Sequence, residues 1–141
     1  MKSIIGFILF LMVTTNLYSQ ENEKVKEAML NYLNGFYTGD STLFISSIDS
    51  NVYKYGYFIN NGEYKGTRMS YKEMFAFARD VRQGKIKFPA NPKAEVIIFE
   101  INDQTASGKV IAEWGIDYIL LAKRDKRWMI REILWQTFPK K

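Results

Sequence analysis

Apolar positions between residues 22 and 37 recur at helical spacing. Val25, Met29, Tyr32, Leu33 and Phe36 fall on one stripe, with Lys and Glu opposite. The pattern predicts an amphipathic helix, and Gly39 is its stop signal. Asp40 or Ser41 can cap a short second helix over 41–48, with Leu43, Phe44 and Ile48 as its apolar face. Residues 52–58, VYKYGYF, alternate and predict a strand. Asn60-Asn61-Gly62 is a turn signal, after which residues 63–66 return as a brief strand. Ser70 and Glu73 have capping-box spacing for a third helix that runs to about Arg82 and buries Tyr71, Met74, Phe75 and Ala78.

Residues 83–93 form a loop with Gly84, Pro89, Pro92 and three lysines, Lys85, Lys87 and Lys93, that solvate it. The remainder predicts strands over 94–101, 105–114, 117–123 and 127–137. Asn102-Asp103, Gly115-Ile116 and Asp125-Lys126 are the turns between them, Gly115 suiting the first position of a type II′ turn. Helices first and an antiparallel meander afterwards make an α+β domain, with helices on one face of a curved sheet.

Two-residue turns set a register. Trp114 then faces Asp117, and Val110 faces Leu121; across the next turn Leu121 faces Ile130, Ile119 faces Glu132, and Asp117 faces Leu134. Both sheet faces come out mostly apolar, whereas a sheet with one wet face alternates cleanly. The expectation is that helices cover one face and a second copy of the chain covers the other, giving a homodimer.

The first nineteen residues carry a different signal. Lys2 precedes an unbroken apolar run, Ile4–Val13, then Thr14, Thr15 and Asn16, with a candidate cut after Ser19. The run is too short for a bilayer span, which needs about 20 apolar residues, and no polar residue interrupts it as in an amphipathic core helix. Residues 1–19 are therefore expected to be a signal peptide and residues 20–141 a single exported domain, periplasmic or extracellular. With no cysteine in the chain there is no site for a lipid anchor, so no membrane anchor is expected after cleavage, and no disulfide can staple the domain. Aromatic content of 16% is high enough for a core that must hold unaided.

The net charge of +5, reduced by one on loss of Lys2, is mild and makes no nucleic-acid footprint. The absence of histidine and cysteine removes the Ser-His-Asp triad and the cysteine nucleophile and argues against a zinc site. No metal and no cofactor is expected, and any acid–base work falls to Asp, Glu, Tyr or Lys.

Several residues can carry binding or chemistry. Asp117 and Glu132 fall on an apolar sheet face, where a carboxylate needs a partner and has a raised pKa; such a group is a ligand contact, a general base, or simply a rim residue in water. Glu113 and Arg131 can pair on the other face. The Tyr53/Tyr55/Tyr57 stripe lines a pocket with hydroxyls or packs as a cross-strand ladder. Trp114 and Trp135 stack on a flat ligand or belong to the core. Lys123, Arg124, Lys126 and Arg127 decorate a hairpin tip, with contact to an anion as the alternative. Asp117→Asn is expected to alter binding more than stability.

The order of elements, with a GFYTGDSTLF start and an AKRDKRWMIREILWQ ending, resembles the nuclear-transport-factor-2-like superfamily, the cystatin-like or SnoaL-like α+β cone. Within it the stretches NYLNGFYTGDSTLF, YKYGY, QTASGKVIAEWGIDYILLAKRDKRWMI and ILWQ are similar to bacterial proteins labelled "putative lumazine-binding". The resemblance covers about residues 25–138. It implies a strongly curved, mainly antiparallel sheet wrapped around N-terminal helices, with a pocket at the open end and dimerisation through the sheet. The implied role is binding of a small aromatic or heterocyclic molecule, or a dimeric interaction module, without catalysis. The pocket residues are then Tyr32, Phe36, Tyr55, Tyr57, Trp114, Asp117, Glu132 and Trp135. Because the superfamily includes ketosteroid-isomerase-like and polyketide-cyclase-like enzymes, the alternative is an isomerase or lyase working with Asp117 and Tyr55. A cone filled by side chains, with no pocket, is a third possibility.

Overall fold

The computed structural model describes the backbone of residues 2–139 and the side chains of residues 19–139. The expected signal peptide, residues 1–19, lies outside the described side chains except for Ser19. Three helices and six strands follow in the order α1 (Lys2–Thr38), α2 (Ser41–Ser47), β1 (Ile48–Asn60), β2 (Glu63–Arg68), α3 (Tyr71–Arg82), β3 (Ala94–Ile101), β4 (Thr105–Ala112), β5 (Gly115–Arg124) and β6 (Arg127–Gln136).

The local signals act where the sequence puts them. Helix α1 stops at Gly39, whose φ of 71° suits glycine. A Cβ there would also come within 2.7 Å of the Arg82 amide nitrogen, so glycine lets α1 end against α3. The Asp40 carboxylate caps α2 by accepting from the Thr42 amide at 2.9 Å. Ser70 and Glu73 close a complete capping box on α3. Val25, Met29, Tyr32, Leu33 and Phe36 are all buried, as the stripe on α1 requires.

The sheet order is β2-β1-β6-β5-β4-β3. The four-strand antiparallel meander β3–β6 is as expected. Strand β1 lies parallel to β6 and antiparallel to β2, so it is an interior strand of a mixed sheet. Val25, Met29 and Ile130 meet in one core on the helix side. On the opposite face Tyr53, Tyr57, Tyr118, Leu120 and Leu134 remain exposed.

Two departures from the expected register decide which side chains meet. The β4–β5 turn is not Gly115-Ile116. It is Glu113-Trp114, with Ala112 opposite Gly115 and Val110 opposite Asp117. One long-range and one local contact hold it there: the Glu113 amide donates to the Tyr37 hydroxyl at 2.9 Å, and the Trp114 indole donates to Asp117, three residues on, at 2.8 Å. Because the slip is even, Val110, Ala112, Asp117, Ile119 and Leu121 keep the shared face expected for them. The second departure is a bulge in β5–β6. Leu121 faces Ile130 as expected, yet Leu120 then faces Glu132 and Asp117 faces Trp135. One extra residue at Arg131 reverses every later side chain of β6. Ile133 and Trp135 turn inward, and Glu132 and Leu134 turn outward.

Candidate functional site

Strand β1 alternates from Val52 onward. Val52, Lys54 and Gly56 are buried, while Tyr53 and Tyr57 point out. Lys54 is thus a lysine on the core side of an interior strand, with only 4% of its surface exposed. An isolated buried ammonium is untenable, and its counter-charge comes from β5. Lys54 Nζ lies 3.3 Å from Asp117 Oδ2 and also donates to the Tyr32 hydroxyl from α1. The Tyr32 hydroxyl donates in turn to Asp117 Oδ2, and the Trp114 indole donates to Asp117 Oδ1. The carboxylate therefore accepts from three donors and is itself fully buried.

Aromatic rings enclose the ammonium. Nζ lies 5.0 Å from the ring centres of Tyr32 and Phe36, 5.7 Å from that of Trp114 and 5.8 Å from that of Trp135. The negative faces of such rings favour a cation within about 6 Å. Gly56 makes room for one of them, since a Cβ there would overlap Trp135 Cδ1. Burial pushes the Lys54 ammonium below its ordinary pKa, against the pull of Asp117. Burial, then the Asp117 charge, pushes the Tyr32 hydroxyl well above its own.

This cluster opens onto a cavity of about 440 Å³. Phe36, Phe77, Phe88, Trp114 and Trp135 form apolar walls with Ile86 and Met69, and Lys54, Arg68, Thr67 and Glu73 supply polar groups. Glu73 is engaged in its capping box, accepting from Ser70 N and Oγ at 2.6 Å each. The Arg68 guanidinium sits 5.0 Å over the Tyr53 ring. The cavity thus presents the Lys54 ammonium and flat apolar walls. Its loop side, Ile86 and Phe88, is held down by Phe88 against Tyr37, and by Tyr37 donating to the Lys93 carbonyl.

The sequence-predicted residues divide. Phe36, Trp114 and Trp135 line the cavity. Tyr32 and Asp117 stand one layer behind it, holding Lys54. Tyr55, Tyr57 and Glu132 do not belong to it. Tyr57 and Glu132 are exposed on the other sheet face. Tyr55 packs there between Tyr53 and Tyr57 and comes up against Gly66 of β2. The strand alternation of β1 and the bulge in β6 place them there. The expected Asp117–Tyr55 pair is therefore corrected: the tyrosine at Asp117 is Tyr32. The Glu113–Arg131 pair is also not formed. Glu113 accepts from the Lys93 amide at 2.7 Å, and Arg131 bonds the buried Asp49 at 2.8 Å.

Lys54 and Arg68 were missed. The signal for Lys54 lay in the sequence: a mid-strand glycine marks close approach of another group, and Val52 and Gly56 share the parity of Lys54. Asp117 on an apolar face also demanded a cation.

Residues 20–136 match the family model described as "Putative lumazine-binding". No curated protein matches the chain. Among solved structures, a nuclear-transport-factor-2-like protein of unknown function from Silicibacter pomeroyi aligns with a TM-score of 0.68 at 14% identity, over 85% of this chain and 98% of its own. One from Shewanella baltica gives 0.66 at 20% identity, over 87% and 98%. A domain of unknown function with a cystatin-like fold from Nostoc punctiforme gives 0.58 at 14% identity, over 86% and 78%. At such identities the likeness is one of fold, and the fold is the nuclear-transport-factor-2-like cone.

Proposed function

We propose, for a chain that belongs to the Putative lumazine-binding family, that the domain binds a small flat aromatic or heterocyclic molecule in the Lys54 cavity without transforming it. The observation that carries this is a single one: a buried ammonium, walled by aromatic rings, on a cavity of about 440 Å³. Ring faces supply stacking surface, and the ammonium supplies a charge-assisted donor to a carbonyl or oxyanion of the ligand. A bicyclic pteridinedione such as lumazine combines those features. The Trp135 indole N–H is buried without a hydrogen-bond partner among the described residues and is a further donor at a cavity residue. Binding is favoured over proton transfer because both oxygens of Asp117 are engaged and the residue does not line the cavity.

Export and pairing belong to the same proposal. The family match begins at residue 20, directly after the candidate cut. Among the described residues of α1 the first buried one is Val25, so cleavage after Ser19 removes none of the buried residues described. The exposed Tyr118, Leu120 and Leu134 offer an apolar outer sheet face to a second copy.

Tryptophan fluorescence tests the binding, since Trp114 and Trp135 both line the cavity. Lumazine should quench it saturably. Lys54→Met should weaken binding by about tenfold, the ~1.4 kcal/mol expected of a charged hydrogen bond, and Tyr55→Phe should leave it unchanged. Native mass spectrometry of protein from its own host then reads the retained small molecule and the subunit count. No saturable quenching by lumazine, together with no retained small molecule, would sink the proposal.

A further inference from the structure

We infer that Lys54 captures carbonyl compounds: its ε-amine condenses reversibly with the aldehyde group of an aromatic molecule seated in the cavity. This rests on the binding proposed above and adds a covalent bond to it.

The placement of Lys54 is that of a reactive lysine and not of a surface one. Its side chain is 5% exposed and lines the cavity, so a reagent reaches it only from there. Lysines that form Schiff bases are set apart by desolvation in an apolar pocket, which releases the amine more readily. Burial acts on Lys54 in that direction. The walls are flat and apolar, so an aromatic aldehyde stacks with its carbonyl towards the only ammonium among the residues lining the cavity. Apolar walls also oppose the reverse reaction, which is hydrolysis.

Two neighbours suit the chemistry. The Tyr32 hydroxyl accepts from Nζ and donates to Asp117, and so can pass a proton between amine, carbinolamine and carboxylate. Asp117 suits the product. The overall step is R–CHO + Lys54–NH₃⁺ → R–CH=NH⁺–Lys54 + H₂O. The amine lone pair forms the new C–N bond, the C=O bond breaks, and its oxygen leaves as water with two protons from nitrogen. The charge on nitrogen is the same before and after; in between, the amine is neutral and Asp117 holds the proton it received through Tyr32, so no unpaired charge stands in the core at any stage. The iminium retains one N–H, which is what a partner at 3.3 Å can hold. A neutral adduct would strand the Asp117 charge in the core, a state this site is built to avoid.

The test uses the wild-type chain and two matched probes, 2-naphthaldehyde with sodium cyanoborohydride and the non-condensing 2-naphthylmethanol. The alcohol reports cavity binding through tryptophan quenching, and peptide mapping locates the reduced adduct. The expected result is one naphthylmethyl group on Lys54, formed roughly tenfold faster than on any exposed lysine such as Lys126 and suppressed by excess alcohol. Because the mapping is done on the native protein, no variant has to fold. Binding of the alcohol with adducts scattered over exposed lysines and none on Lys54 overturns the inference and leaves the binding proposal standing. Failure of both probes overturns the inference, and the lumazine titration decides the binding proposal separately.

Discussion

Removing one partner of the Lys54–Asp117 pair should unfold the domain more readily than any surface change. At 3.3 Å the two charges attract by about 5 kcal/mol at an effective dielectric of ~20. Burying each ion forfeits several kcal/mol of hydration, so the intact pair contributes little net stability. A lone survivor keeps the hydration loss and forfeits the attraction, and ~3–5 kcal/mol is the usual cost. Asp117→Asn adds a geometric fault, because its amide nitrogen would face one of the donors now held by the carboxylate. A domain of this size has only ~5–15 kcal/mol in hand, so each single variant should melt about 10–20 °C lower. Lys54→Met combined with Asp117→Asn leaves no stranded charge and should cost ~2–3 kcal/mol less than the sum of the singles. Urea unfolding followed by far-UV circular dichroism measures all three. Singles costing under ~1 kcal/mol, or a double variant equal to their sum, would refute a buried, coupled pair. This reverses the expectation from sequence that Asp117→Asn alters binding more than stability, because Asp117 acts on the cavity only through Lys54.

Two further perturbations probe the frame of the site. The Glu21 carboxyl is held at about 2, below its ordinary 4.5, chiefly by its hydrogen bond from Lys123, with Lys24 and the Trp128 indole assisting. The unfolded chain therefore binds more protons in that interval, so this contribution is whole above pH 4.5 and lost as the pH falls towards 2. Urea midpoints for Glu21→Gln should show a flatter acid limb than wild type; an unchanged limb would mean that other carboxylates set it. Gly56→Ala drives a Cβ into the Trp135 ring and backbone. It should cost ~1–3 kcal/mol and shift the tryptophan emission, and near-wild-type values in both measurements would mean that the indole does not cross β1 as described.

The secondary structure was legible because its causes are local. The stripe from Val25 to Phe36, the Gly39 stop and the Ser70–Glu73 box each act within a few residues, and each is present in the fold. The Asp125-Lys126 turn was likewise read correctly, both residues taking positive φ. The β4–β5 turn was misread because Tyr37, whose hydroxyl accepts from the Glu113 amide, lies 76 residues away in the chain. Even so, the slip left the faces of β4 and β5 intact. The bulge at Arg131 did not, and that single residue is why Glu132 was expected on the face of Asp117 and lies on the other.

By itself the sequence determined the helices, the meander and an aromatic core without disulfides, and it put a carboxylate at position 117 on an apolar face while leaving open whether it was partnered or stood in water. Periodicity and capping decide such things, since they depend on neighbours along the chain. Only the tertiary structure decided that β1 lies parallel to β6 and that Lys54, on the Val52–Gly56 face of β1, meets Asp117 and Tyr32. Position 54 is 63 residues from Asp117 and 22 from Tyr32 in the chain. Their meeting follows from strand parity and the packing of α1 across the sheet, and no pattern along the chain encodes that distance.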